Sequence, residues 1–149
     1  MVNACPISGD QVDEGAGRIA AFLSLLVMAL SAGFAWPWAV LALGLDFGLR
    51  AAGQRRFSPI ARLARLARQA AGIRPRMINA GPKRLAAFIG LLFCMGVFSS
   101  LVLHWRLLGL LLAGSLVGCA ALEAAFGFCV ACRLYPFLRF LRLEEALRG

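Results

Sequence analysis

Three stretches of the chain carry no charged residue: 19–45, 85–103 and 107–122, or twenty-seven, nineteen and sixteen positions. About 20 apolar residues of helix cross a bilayer core, so the pattern predicts an integral membrane protein. The first stretch would measure roughly 40 Å as one helix, too long for an untilted span. Its middle, GFAWPW at 33–38, holds a helix-breaking proline and two tryptophans suited to the lipid–water interface. A tight hairpin is predicted there, with one helix over 18–35 and a short second one over 37–52. A third begins at Pro82, a residue that suits a first helical turn, and runs to 103. The connector His104-Trp105-Arg106 is short, so a fourth helix over 107–135 must return antiparallel, and Pro136 should end or kink it. The predicted fold class is all-α, a polytopic membrane protein with four transmembrane helices in two hairpins. A three-span alternative makes 19–45 one tilted helix and puts the N-terminus on the other side of the membrane.

Two further segments have the periodicity of interfacial amphipathic helices. Ser58-Pro59 reads as a cap and a first-turn proline leading into a helix over 59–71. There Ile60, Leu63, Ala67 and Ala70 share one face, while Arg62, Arg65 and Arg68 occupy another and should meet lipid head groups. The tail at 136–149 has the same character, with Phe137, Phe140 and Leu141 against lipid and Arg139 and Arg142 in water. The chain is thus one membrane domain. An arm at 1–17 precedes the first hairpin (18–52), a basic loop (53–81) links it to the second (82–135), and the amphipathic tail follows.

Charge sets the orientation. The net charge is +9, and ten of the sixteen Lys and Arg lie in 50–84, which holds no Asp or Glu. Flanked by spans, that block is a cytoplasmic loop drawn to anionic head groups rather than a nucleic-acid-binding surface. The arm is polar and mildly acidic, unlike a cleavable signal, and is expected to be retained and solvent-exposed. Both termini then lie in the cytoplasm of a cell whose inner membrane holds the protein, and the lipid bilayer is its first partner.

Candidate chemistry centres on GFCVACRLY at 127–135. Cys129 and Cys132 stand three apart, on one face of a helix and within disulfide reach. In a reducing compartment such a pair reads as redox-active or metal-binding. The negative end of a helix would disfavour thiolate, whereas Arg133, or a new helix starting near Cys129 after Gly127, would favour it. Glu123, in the same helix, should face the bundle and be paired with Arg50 or Lys83-Arg84. It serves either as a proton acceptor beside the thiols or as a structural ion pair. Asp46 and Arg50 lie one turn apart and can form an ion pair. Cys5 in the arm shares the cytoplasmic side and could resolve the pair, while Cys94 and Cys119 lie mid-span as packing residues. A zinc site is disfavoured, since three thiols share that side and His104, the single histidine, lies opposite. No cofactor is indicated.

The segments CPISGDQVDEGAGRIAAFL, LALGLDFGLR, FSPIARLA, GPKRLAAFIGLLF and LEAAFGFCVACRLY together resemble a bacterial family of small four-helix membrane proteins catalogued as a domain of unknown function. The resemblance covers about 5–135 and implies four spans. It carries over Cys129, Cys132, Glu123, Asp46, Arg50, Ser58, Pro59 and Lys83. Relatives neighbouring thioredoxin-like and sulfurtransferase genes imply thiol or sulfur handling with such a protein as partner. The expected function is a thiol-redox or sulfur relay at Cys129 and Cys132, with Cys132 the more exposed attacker. The alternatives are a small transporter for a sulfur species or thiophilic metal, with Glu123, Cys119 and Cys129 along its path, and a non-catalytic scaffold.

Overall fold

The structure, a computed structural model, describes residues 11–148, leaving aside the side chains of Asn79, Cys132 and 142–148. The elements in order are β1 (Gln11–Asp13), α1 (Glu14–Gly33), α2 (Pro37–Ala51), α3 (Pro59–Ala70), β2 (Met77–Asn79), α4 (Ala80–Val102), α5 (Arg106–Phe126) and α6 (Val130–Arg148). Helices α1, α4 and α5 are each long and apolar enough to cross a membrane. Helix α2 has 15 residues, about 22 Å at 1.5 Å per residue.

Burial is inverted relative to a water-soluble bundle. Helix α1 buries Ala16, Ala20, Ala21 and Ser24 while it exposes Phe22, Leu26 and Leu30. Helix α4 likewise buries Ala87, Gly90 and Ser100 and exposes Phe88, Leu92 and Met95. Small residues inside let backbones approach closely, and large apolar ones outside suit lipid. This is a membrane protein.

Helices α1, α2, α4 and α5 form a ring. α2 packs along α4, α4 along α5, α5 along α1, and α1 on α2. Glycines set the spacing: a Cβ on Gly90 would come 2.9 Å from the Phe47 ring, and one on Gly96 2.9 Å from Leu112. At the end of the ring bearing the α1–α2 and α4–α5 turns, Met28, Val40, Leu43, Cys94, Val97 and Ala113 form the closed core.

Those two turns share one geometry. Ala35 and His104 both adopt left-handed backbone, φ 50° and 58°. The Trp36 N–H donates to the Ser31 carbonyl at 2.9 Å, and the Trp105 N–H to that of Ser100 at 2.8 Å. Each tryptophan is exposed and caps the helix that follows. The single tilted helix over 19–45 is therefore not present, because the chain reverses between Gly33 and Pro37.

Three other expectations are corrected. From Gln11 on, the acidic arm is not loose: β1 pairs antiparallel with β2, Val12 opposite Ile78. The fourth helix does not reach 135, since α5 ends at Phe126. The last helix starts at Val130 rather than 136 and continues through Pro136. Helix α3 leaves Leu63, Ala67 and Ala70 exposed, as an interfacial helix would, and turns Ala61 and Ala64 inward, with α3 packed against α1.

Candidate functional site

The end of the ring opposite the turns is held by a buried polar clasp. Asp46 is 3% exposed and bridges Arg50, its Oδ2 2.9 Å from Nε. Asp46 Oδ1 accepts from the Ser58 hydroxyl at 2.6 Å and from the Ile60 N–H at 3.2 Å. Ser58 Oγ in turn accepts from the Ala61 N–H, capping α3. Arg50 donates to Ser24 Oγ at 3.1 Å and lies over the Phe47 ring. One carboxylate thus fixes the start of α3, and its arginine reaches α1.

Beside the clasp a cavity of about 510 Å³ opens between α1 and α4. Alanines of α1 and α4 line its walls with Phe47, Phe93 and Leu116, and it borders the closed core. Its rim carries Asp13 and Met77 of the ribbon, Arg55, Arg65, Lys83 and Glu123. Lys83 and Glu123 form an ion pair that ties α4 to α5. Arg55 lies in the turn between α2 and α3, where burial, with Arg50 and Arg84 nearby, pulls its guanidinium down to about 10.

Gly127 decides the environment of the cysteine pair. It adopts left-handed backbone at φ 66° and ends α5, its N–H donating to the Glu123 carbonyl at 2.9 Å. Two residues later Cys129 accepts the first α6 bond, from the Arg133 N–H at 3.2 Å. Cys129 therefore flanks the start of a new helix rather than the end of the old one, and it is half-buried and lines the cavity. The Arg133 guanidinium stacks over the Phe128 ring. Arg18 of the neighbouring α1 caps the end of α5, donating to the carbonyls of Ala124 and Ala125.

Of the residues singled out in the sequence, Glu123, Cys129 and also Cys119 meet in the cavity wall. Cys94 is buried against α2, with Gly44 beside it. Cys5 and the Cys132 side chain lie outside the described residues. Arg62 is exposed. Arg68 departs from the expected head-group role, since it turns inward to pair with Asp13, and Arg65 bends back toward the Ala61 and Arg55 carbonyls. Sequence reasoning missed Arg18 and Arg55. The signal for Arg18 was its place, a cation heading an uncharged run and so in need of a partner.

Residues 12–139 match the model of one protein family, described as Domain of unknown function (DUF4395). The chain belongs to that family. No curated protein and no solved structure matches it.

Proposed function

We propose that this DUF4395 protein sits in a bacterial inner membrane with four spans and both termini in the cytoplasm. In this reading α2 crosses with the others despite its length. It is held in the ring by α4, and tilt or local thinning accommodates the mismatch. The arginines of 50–84 then lie on the cytoplasmic side, with α3 and α6 along the head groups.

The chemistry we propose is thiol–disulfide or sulfur exchange at Cys129 and Cys132 with a soluble thiol protein, of thioredoxin-like or sulfurtransferase type. The observation that carries it is Cys129 at the start of α6, on the wall of a cavity. The partial positive charge of a helix start favours a thiolate there, so the attacking role moves from Cys132 to Cys129. The thiolate attacks one sulfur of a partner disulfide, whose S–S bond breaks as the other sulfur leaves and takes a proton. Cys132 gives up its proton and attacks the mixed disulfide at Cys129, releasing the second partner thiol. The partner gains two electrons and the pair is oxidised. Glu123, already held by Lys83, positions α5 and takes no proton in this scheme. In this reading Cys5, which lies outside the described residues, shares the cytoplasmic side and acts as a third thiol.

A second reading draws on the presence of Glu123, Cys119 and Cys129 in one cavity, as a path for a sulfur species would require. Transport would need the closed core to open, so exchange is preferred.

The test uses a protein with Cys5, Cys94 and Cys119 changed to alanine and reduced in membrane vesicles. Dithiobis-nitrobenzoate should release two thionitrobenzoates per chain, and Cys132→Ser should release one and trap the adduct. If Cys129→Ser reacted as fast as the parent, the assignment would fall.

A further inference from the structure

The four carboxylates among the described residues are each committed to a cation. Asp13 holds Arg68, Glu14 faces Arg76, Asp46 holds Arg50 and Glu123 holds Lys83. Two arginines of the cavity rim, Arg55 and Arg65, have no carboxylate within 4.0 Å among the described residues. The exposed Arg65 reaches the Arg55 backbone, a terminal nitrogen 3.5 Å from its carbonyl oxygen, and both side chains line the same cavity. Repulsion from Arg50 and Arg84 adds to the cost of holding Arg55 charged. A partly buried arginine crowded by other cations, with no carboxylate in salt-bridge reach among the described residues, is expensive to hold unless something else supplies the negative charge.

Below them the wall turns apolar, with Ala20, Ala21, Ile89, Phe93 and Leu116. Phe47 and Leu116 of its lining pack in turn against the core cluster. About 510 Å³ lies within the 300–1,000 Å³ common for small-molecule sites. A charged rim over an apolar chamber is the complement of a molecule with an anionic head and an apolar body.

We infer that the cavity binds an amphipathic anion, its charged group held by Arg55 and Arg65 and its apolar part lodged between α1 and α4. That group is a carboxylate, sulfonate or phosphate, which a guanidinium pair can grip with paired hydrogen bonds. It can arrive on a soluble organic anion or on an anionic phospholipid. The bound molecule shares a wall with Cys119 and Cys129, so it deepens the exchange reading by naming the class of molecule beside the thiols. Its occupancy does not require the thiols to react.

The experiment follows maleimide labelling of Cys119 in the full chain carrying Cys129→Ser, reconstituted in phosphatidylcholine nanodiscs. Octanesulfonate is the probe, with octanol as its neutral counterpart. Sulfonate should slow labelling where octanol at equal concentration does not. Arg55→Gln with Arg65→Gln should raise the half-protecting concentration about tenfold or more. The double lysine variant should keep most of the protection, which separates lost charge from lost fold. Should nanodiscs with phosphatidylglycerol protect Cys119 through the same arginines and leave sulfonate without further effect, the anion comes from lipid. Equal protection by octanol, indifference to the glutamine pair, or no protection by either anion source would overturn the site. The reacting thiol is absent here, so failure of this site and failure of exchange are read separately.

Discussion

Arg18 Nη2 donates to the Ala125 carbonyl at 2.8 Å, across 107 positions of sequence. With its two bonds to Ala124, this arginine at the start of α1 closes the end of α5. It also lies beside Gly127, where a Cβ would come 3.8 Å from Arg18 Cδ. The break that gives Cys129 its own helix start is thus braced from the other hairpin.

Replacing Arg18 by alanine should free those carbonyls and loosen the 124–129 segment. We expect a loss of roughly 1–2 kcal/mol, since helix-end carbonyls near a cation lose both bond and dipole complement. Faster hydrogen exchange confined to the end of α5 and the start of α6 would confirm it. Uniform change through the bundle would argue against a local cap.

Asp46→Asn keeps the size of the side chain but strands Arg50, 8% exposed, without its charge partner. Breaking one half of a buried pair costs about 3–5 kcal/mol, against about 1 kcal/mol for losing only the Ser58 cap in Ser58→Ala. Thermal unfolding in detergent should order the variants wild type, Ser58→Ala, Asp46→Asn. A mild effect of Asp46→Asn would show that the clasp is solvated.

Ala35 and His104 stand in left-handed backbone at equivalent turns. Glycine at either position removes a steric cost of about 1 kcal/mol, so Ala35→Gly and His104→Gly should each raise Tm by a few degrees. Lowered Tm in both would contradict the turn geometry.

Arg55 should behave as a functional residue that costs stability. Its guanidinium falls from the ordinary arginine range, near the top of the pH scale, to about 10 in the folded chain. Between those values the unfolded chain holds the proton and the folded chain does not, so its contribution to stability rises with pH across that window. Below about 10 it is charged in both states and its burial is a penalty. Arg55→Gln should therefore raise Tm at pH 8, with the gain shrinking toward pH 11. A lower Tm at pH 8 would mean that the guanidinium makes stabilising contacts.

The features legible in the sequence are those carried by local spacing. GFAWPW gave away the first turn, Ser58-Pro59 the start of α3, and the four-residue step from Asp46 to Arg50 their bridge at 2.9 Å. The features that were not legible depend on distant partners. Strands of three residues are too short to show alternation, so the β1–β2 ribbon had no signal. Gly127 offered a break before Cys129 as one of two options, and only its left-handed backbone decides between them. The cavity is built from alanines of separate helices, and no one-dimensional pattern marks residues that fail to fill a space between them.

The most direct test of the account is the reaction of Cys129 with a membrane-impermeant alkylating reagent, followed against pH from each side of sealed vesicles, in a chain whose other cysteines are serine. The account predicts reaction from the cytoplasmic side, with a midpoint below about 8.5, the ordinary thiol value. Reaction only from the opposite side, or a midpoint above that value, would contradict it.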